Sequence, residues 1–412
     1  MNKQRVATRA PILGMLIVAA ITVLAACGSE EPTPTPESVP APTAAGDGQV
    51  ASGDQEPWEA EWAALIAAAQ AEGELMIVGG SATIEFRPAF RVFQDKFGIR
   101  VISSGGSSSE IINRILAERA AGRYTIDHFI SGSGTSFRLI EAGVLAPIAE
   151  QFILPEVKDV SLWWGGRHWY ADAQQKYVFS HSASARLEDA SSRVNTDHVP
   201  EEEYRSLTTL WDFLEPRWNG VTTARPPTPD GSSGYVGVYY HPDLGIEWLE
   251  RFFQMDVTFI NDQRLQTDQV ALGAFALCIF CSGTAPELDR LQREGAPVRS
   301  LLELKETWTD AQSLSLGGST AVASIVDRPS HPSAARLFIN WFLSKEGQTA
   351  VDTLVTDRHP PPTLRTDVTE VGNTNPLERR LPGQDYFVET LLEGFDPQLA
   401  MDKSLELWEA RR

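Results

Sequence analysis

The sequence predicts an α/β protein of two lobes, each a mostly parallel sheet flanked by helices, with crossing strands that join the lobes. Helical and strand patterns alternate along most of the chain, which is typical of parallel sheets covered by helices. About 355 residues follow the amino-terminal segment, whereas a single hydrophobic core stops growing at roughly 250 to 300 residues. The length therefore favours two cores over one.

The chain begins with a basic segment followed by an apolar run. Lys3, Arg5 and Arg9 precede this run, which closes on the letters LAAC at 24–27. This pattern is typical of an export signal, and the run is shorter than a membrane-spanning helix requires. It resembles a bacterial lipoprotein signal over 1–26, which implies cleavage before Cys27 and lipid attachment to that residue. The alternative is an ordinary signal peptide with a chance LAAC.

Residues 27–56 predict a disordered tether rather than a folded element. Prolines alternate there with threonine, alanine, serine and glutamate. A segment of this composition has little apolar surface to bury and stays extended. It would hold a folded body close to the membrane surface.

The acidic composition excludes one class of partner. The chain has 35 basic and 55 acidic residues, for a formal charge of −20. Cleavage after residue 26 removes three basic and no acidic residues and leaves −23. Acidity of this kind keeps a protein solvated and repels nucleic acid, so no nucleic-acid partner is expected.

The first half of the folded body predicts a parallel sheet. Apolar residues at helical spacing, a glycine stop at Gly73 and a capping box of Ser107 with Glu110 mark the helices. The predicted elements are a helix over 58–73, a strand over 74–78, a helix over 86–97, a strand over 100–103, a helix over 107–116, a strand over 124–130 and a helix over 137–142. The order is that of successive βαβ units.

Small, donor-rich turns follow the predicted strands. The residues assigned from them to a ligand site are Gly80, Ser81, Ser107, Ser108, Ser131, Gly132, Ser133 and Thr135. Ligands of open α/β sheets bind outside the carboxyl ends of the strands, where helix N-termini present free N–H groups. The alternative is that these glycines and serines only cap helices.

A second α/β run follows an aromatic cluster over 161–182, which includes Tyr170 and predicts crossing strands. The run is predicted as a helix over 207–214, a strand over 221–224, helices over 246–253 and 267–274, a strand over 275–280, a crossing strand over 314–326, a helix from 331 and closing helices over 384–410. Ser282, Gly283 and Thr284 form another hydroxyl-rich turn after a strand. These three residues and Tyr170 join the predicted site.

The predicted lobes are discontinuous in the chain. Lobe 1 is assigned to 57–165 and 314–363, the hinge to 166–183, and lobe 2 to 184–313 and 364–412.

Cys278 and Cys281 invite a redox or metal interpretation. In an extended strand their Cα atoms lie about 10 Å apart, too far for a disulfide, although a turn at Phe280 allows one. No second CxxC and no HxxxH accompanies the pair, so a zinc site is not indicated. We predict two buried thiols, with the bridge as the alternative.

Several segments together carry a family resemblance. They are EGELMIV at 72–78, AERAAG at 117–122, EAGVLAP at 141–147, LWDFL with PRW at 210–218, and HPSAARLFINWFLSKEG at 331–347. In order and spacing they resemble the extracellular solute-binding proteins of bacterial ABC transporters, in the type 2 group that includes the periplasmic ferric-iron binders. The resemblance covers nearly the whole chain after the tether and implies a periplasmic-binding-protein-like fold.

The chain departs from the iron binders of that family at the metal ligands. The family carries a tyrosine pair after the strand that corresponds to 276–280, where this chain has Cys281 and Ser282. It also carries an acidic ligand near Ser131 and a histidine near Ser81, which this chain lacks. Direct ferric-iron binding is therefore not expected.

Hydroxyl groups and backbone amides suit a small polar or anionic solute. Arg87 and Arg225 are candidate charge partners for an anion, or else ordinary solvated arginines.

The sequence thus predicts a monomeric, exported protein, anchored by lipid at the outer face of the membrane. It would capture a small polar or anionic solute in a cleft between its lobes and deliver it to an ABC permease. A sensor that docks on a membrane histidine kinase is an alternative, and an exported hydrolase is a more remote one. The motifs GxSxG, HExxH, GxGxxG and the Walker loop are absent from the sequence, so no catalytic residue, metal or cofactor is predicted.

Overall fold

A computed structural model describes residues 56–106, 108–187, 192–228, 234–281, 285–316, 321–356, 360–369, 372, 374 and 376–411. Its helices are α1 (Pro57–Glu72), α2 (Arg87–Phe97), α3 (Ser108–Ala120), α4 (Ser133–Glu141), α5 (Pro155–Lys158), α6 (Glu201–Ser206), α7 (Gly234–Tyr240), α8 (Gly245–Gln254), α9 (Gln263–Ala271), α10 (Ala285–Arg293), α11 (Pro332–Leu343), α12 (Lys345–Leu354) and α13 (Pro397–Ala410). Its strands are β1 (Glu74–Gly80), β2 (Arg100–Gly106), β3 (His128–Ser131), β4 (Leu145–Ala146), β5 (Phe179–Ser180), β6 (Ser184–Arg186), β7 (Arg193–Asn195), β8 (Thr222–Ala224), β9 (Val257–Phe259), β10 (Leu277–Ile279), β11 (Val298–Ser300), β12 (Ser313–Ser315) and β13 (Val322–Val326).

The first sheet has the strand order β2-β1-β3-β13-β4, and β5 pairs with β13. Strands β1, β2 and β3 are parallel, whereas β13 is antiparallel to β3. The phenylalanine stripe of α2 packs on α11, with Phe90 and Phe93 at ring distances of 5.6 and 5.3 Å from Phe338. Edge-to-face rings of this kind stabilise a core beyond their buried area.

The second sheet has the strand order β11-β7-β10-β8-β9. Strands β8, β9 and β10 are parallel, and β7 is antiparallel to β10. Leu277 and Ile279 pack in one apolar cluster with Trp248 of α8. Cys278 points to the other face, where it packs in a smaller cluster with Val270 of α9. The period of two along β10 therefore divides its side chains between two helical layers.

A two-stranded antiparallel pair of β6 and β12 lies where the chain passes between the two apolar cores. Ala183 belongs to the first core and Leu187 to the second. The buried Lys305 fastens this region, because its Nζ donates to the carbonyl oxygens of Ala185 (3.1 Å), Leu377 (3.2 Å) and Arg379 (3.0 Å). The lobe boundaries stay a prediction.

The predicted fold class is confirmed. Each of two sheets has three adjacent parallel strands, helices cover both sheets, and each sheet has its own apolar core. Both sheets also carry antiparallel strands, so they are mixed rather than wholly parallel.

Several predicted elements need correction. The segment 207–214 forms a 3₁₀ helix over Leu210–Leu214, and 384–410 contains one α-helix rather than several. The strand predicted over 124–130 begins only at His128. The crossing strand predicted over 314–326 divides into β12 and β13.

Among the helices of the described residues, none has the length and apolarity needed to cross a membrane.

Candidate ligand-binding site

The predicted turns of the first sheet lie side by side at one edge. Gly80 at the end of β1 pairs with Gly106 at the end of β2, and Gly79 pairs with Ile130 of β3. Because neighbouring strands are about 4.8 Å apart, the three turns occupy one continuous edge. Helices α3 and α4 begin directly after β2 and β3. Their N-termini therefore point to the same edge, as expected for a polar or anionic ligand.

The turn after β1 requires a close approach of two backbones. A Cβ on Gly79 would lie 1.8 Å from the Ile130 carbonyl oxygen and 2.1 Å from Thr83 Oγ1. Thr83 Oγ1 donates to the same carbonyl oxygen at 2.7 Å. The glycine thus allows Thr83 to fasten the Ser81–Phe86 3₁₀ helix against β3.

The structure places the backbone of most predicted residues at this edge. Those at the strand ends or in the first turn of the helix that follows are Gly80, Ser81, Ser108, Ser131, Gly132, Ser133 and Thr135. Ser131 is buried and pairs with Val322 of β13. Ser107, Ser282, Gly283, Thr284 and Cys27 lie outside the described residues. The ligand-binding roles stay predictions.

Tyr170 lies within the first apolar core. Its ring packs edge to face on Phe179 at 5.5 Å, and Phe179 belongs to β5. Burial, together with the nearby Asp172 carboxylate, raises the pKa of Tyr170 to about 12. Packing accounts for this position, so a contact with ligand stays a prediction.

The second sheet also ends in polar residues at its carboxyl edge. Arg225 follows β8 directly and is buried. Its Nη2 donates to Asn261 Oδ1 at 3.3 Å, and its carbonyl oxygen accepts from the Tyr235 hydroxyl at 2.5 Å. Arg87, in contrast, is exposed and donates to Ser103 at the first sheet. Of the two candidate arginines, Arg87 has the position of a solvated surface residue and Arg225 does not.

The prediction of two thiols is wrong, because Cys278 and Cys281 form a disulfide. Phe280 has a φ of +52°, and this left-handed turn brings the two Cα atoms to 5.8 Å. A left-handed phenylalanine is strained and persists only when its surroundings hold it. Its ring packs on Tyr235 at 4.2 Å. The bridge lies directly before the predicted turn of Ser282.

Two buried polar residues at the second sheet are not indicated by any sequence pattern. Arg193 begins β7 and Gln266 lies in the first turn of α9. Neither residue belongs to a motif, and an arginine or glutamine in sequence is usually solvent exposed. The register of β7 and the packing of α9 on the sheet reveal their positions.

Within the described residues, no group of three or more histidine, cysteine, aspartate or glutamate side chains is arranged to hold a metal ion.

Comparison with known proteins gives structural matches only. No family model matches the sequence, and no curated protein sequence matches it. Trichodesmium IdiA (FutA), in complex with iron and citrate, has a TM-score of 0.59 at 16% identity, covering 82% of this chain and 99% of that one. The periplasmic binding protein AfuA from Actinobacillus pleuropneumoniae, with exogenous fructose-6-phosphate bound, has a TM-score of 0.54 at 16% identity. The match covers 82% of this chain and 97% of that one.

A third match is the substrate-binding protein of an ABC transporter from Agrobacterium tumefaciens. It has a TM-score of 0.57 at 14% identity and covers 82% of this chain and 96% of that one. Likeness at such low identity establishes the fold, and this chain therefore has the two-lobed fold of the periplasmic binding proteins.

Proposed function

We propose that this chain is a lipid-anchored extracellular binding protein that captures a small polar or anionic solute between its lobes and delivers it to an ABC permease. The observation that carries the proposal is the continuous edge of glycine and serine turns at the ends of β2, β1 and β3. Free N–H groups at this edge suit the oxygen atoms of a solute. Delivery to a permease is supported by the ABC-transporter relative described above.

Capture would work through lobe closure. A solute that contacts both sheets in the closed state shifts the open and closed populations by the difference in its affinity for them. The paired strands β6 and β12 pass between the two apolar cores. Strand β6 directly follows the predicted hinge over 166–183 and pairs with β12, so we include both strands with it in the proposed hinge.

Ferric iron is not the proposed solute. Cys281 takes the position where the iron binders of the resembling family begin their tyrosine pair, and its sulfur is engaged in the disulfide. Hard ferric iron prefers oxygen ligands, so this position has no suitable group. The iron named with IdiA (FutA) therefore does not transfer to this chain.

The proposal is tested by filling the edge with a bulky side chain. Gly132 has a φ of −83°, which any residue adopts, so Gly132→Leu is expected to fold and to obstruct the edge. Asn113→Leu, on an exposed position of α3, is the matched control. The full chain in detergent is incubated with a bacterial metabolite extract and examined by native mass spectrometry.

We expect the parent chain and Asn113→Leu to retain a small organic mass that Gly132→Leu lacks. Retention of iron alone, or equal retention by Gly132→Leu, would contradict the proposed site. Retention of nothing by the parent chain would contradict solute binding.

A further inference from the structure

One face of the second sheet gathers polar side chains where its parallel strands end. Cys278 of β10 pairs with Arg193 of β7 on one side and with Thr223 of β8 on the other. Directly paired residues point to the same face. Ile260 N donates to the Ala224 carbonyl oxygen at 2.9 Å, which continues the ladder beyond β8. Arg225, two residues after Thr223, therefore shares the face of Arg193.

Helix α9 covers this same face. Asn195, two residues after Arg193, donates from Nδ2 to the Val270 carbonyl oxygen at 2.7 Å. Val270 also packs with Cys278. Because α9 follows β9 and leads into β10, its first turn lies at the edge where the parallel strands end. Gln266 is one turn before Val270, on the same buried side and nearer to that edge.

Both arginines at this edge are buried. Arg193 and Arg225 are each 6% exposed. Arg193 Nη1 donates to the Ser192 carbonyl oxygen at 3.0 Å, and Arg225 Nη2 donates to Asn261 Oδ1 at 3.3 Å. The guanidinium group binds carboxylates and phosphates through two parallel hydrogen bonds, which makes arginine well suited to a desolvated oxyanion site.

Gln266 adds an independent observation. It is 0% exposed, and no donor or acceptor in the described part of the chain reaches its Oε1 or Nε2. A buried polar group without a partner destabilises a fold by about 1 to 3 kcal/mol. Such a group is explained if its partner is a bound molecule.

We propose that Arg193, Arg225 and Gln266 form a subsite for the oxyanion group of the solute, a carboxylate or a phosphate. The proposal rests on the proposed solute-binding function and adds the chemical class. The arginines bind the anionic oxygens, and the Gln266 amide donates to one of them. The subsite lies next to the Cys278–Cys281 bridge, at the carboxyl edge of the second sheet.

The test compares variants of the full chain in the same metabolite extract, with native mass spectrometry as the readout. Arg225→Gln removes the charge at this edge. Gln266→Met keeps the length of the side chain and removes its amide. Arg290→Gln is the control, because Arg290 is exposed on α10 and pairs with Glu294 at 2.6 Å.

We expect the parent chain and Arg290→Gln to retain an organic anion. Arg225→Gln is expected to bind it at least tenfold more weakly, since charge-assisted bonds are the strong ones. Gln266→Met is expected to bind it severalfold more weakly while the unfolding temperature of the free protein stays equal or rises. This opposite pair of effects separates a ligand contact from a structural role.

Titration of the parent chain then distinguishes the two oxyanions. Citrate supplies carboxylates, inorganic phosphate and fructose 6-phosphate supply the phosphate, and fructose is the uncharged counterpart. We expect tighter binding of at least one anion than of fructose.

The outcomes separate the two claims. Retention of an anion with equal affinity by Arg225→Gln and Gln266→Met, or retention of an uncharged solute, would overturn the subsite and leave solute binding intact. Retention of nothing by the parent chain would overturn the proposed function itself.

Discussion

At the scale of single residues, the buried Asp127 and the partly buried Glu72 hold distant segments around the first sheet together. The Asp127 carboxylate accepts from Met76 N at 2.7 Å, and from His331 N at 2.8 Å and His331 Nδ1 at 2.9 Å. The Glu72 carboxylate accepts from Ser333 N and Ala334 N, at the positive end of α11. Carboxylates at such positions satisfy free N–H groups and interact favourably with the helix dipole. These acids hold the scaffold and are not candidates for ligand binding.

Asp352 is a buried acid with a predicted effect on stability. Burial raises its pKa to about 7, although Arg380 and Arg379 act in the opposite direction. A folded-state pKa above the unfolded value of about 3.9 means that stability is present at low pH and lost as the pH rises from about 4 to 7. Asp352→Asn removes this loss. We therefore expect the free energy of unfolding of the variant, relative to that of the parent chain, to be about 1 to 4 kcal/mol higher at pH 7.5 than at pH 4.5.

The measurement is urea unfolding of the parent chain and variant at both pH values. Asp95→Asn, at an exposed position of α2, is the control and should show the pH dependence of the parent chain. An Asp352→Asn variant with that same dependence would contradict the raised pKa.

Gly79 gives a second prediction at this scale. Gly79→Ala places a methyl group against the Ile130 carbonyl oxygen, and the backbone there cannot move without breaking the β1–β3 pairing. We expect a loss of about 3 kcal/mol or more in the free energy of unfolding. Gly106→Ala is the matched control on β2, since its Cβ would meet the flexible end of Glu110 at 3.2 Å and would otherwise make only ordinary contacts, with Ile111 at 3.7 and 3.8 Å. Equal stabilities of the two variants would contradict the close approach at Gly79.

At the scale of elements, the end of β10 is held by a covalent bridge rather than by hydrogen bonds alone. The disulfide spans the left-handed Phe280, whose ring packs on Tyr235 of α7 and Trp248 of α8. The bridge and this packing hold the turn that leads into the predicted Ser282–Thr284 loop.

Reduction of this bridge is expected to lower stability. A disulfide that closes so short a loop contributes about 2 kcal/mol through the entropy of the unfolded chain. Urea unfolding of the parent chain with and without dithiothreitol measures the difference. The double variant Cys278→Ala/Cys281→Ala should not respond to the reductant. A parent chain that is equally stable in both conditions would contradict the bridge.

The sequence predicted elements best where local patterns and tertiary packing agree. Helix α1 was foreseen with its end at Gly73, which has a φ of +74°, and the strand β1 and the helices α2, α8 and α11 also follow their apolar patterns. Strands β7 and β11 and the helix α12 were missed, because three-residue strands carry no recognisable period and α12 follows α11 after a single residue.

The candidate site was predictable in part for a related reason. Turns after strands can be recognised locally, so the edge of the first sheet was predicted from the positions of Gly80 and Ser131. Arg193 and Gln266 are placed on the same side of the second sheet only by the pairing of β7 with β10 and the packing of α9. Neither contact is encoded in a local pattern.

At the scale of the whole molecule, two sheets with separate cores present polar residues at the carboxyl edges of their parallel strands. The proposed lipid anchor would confine this body to the membrane, where a permease is available. Cys27→Ala in the full chain is expected to move the protein from the membrane fraction to the soluble fraction, measured by fractionation. Ser29→Ala is the control, and a Cys27→Ala variant that stays in the membrane fraction would contradict lipid attachment at this residue.

The central claim is that one solute binds to both sheets at once, and hydrogen exchange tests it most directly. Amide exchange of the full chain is followed by mass spectrometry with and without the metabolite extract. The account predicts slower exchange in two places together, after β1, β2 and β3 in the first sheet and after β8 and β10 in the second. Protection confined to one sheet, or no protection at either edge, would contradict it.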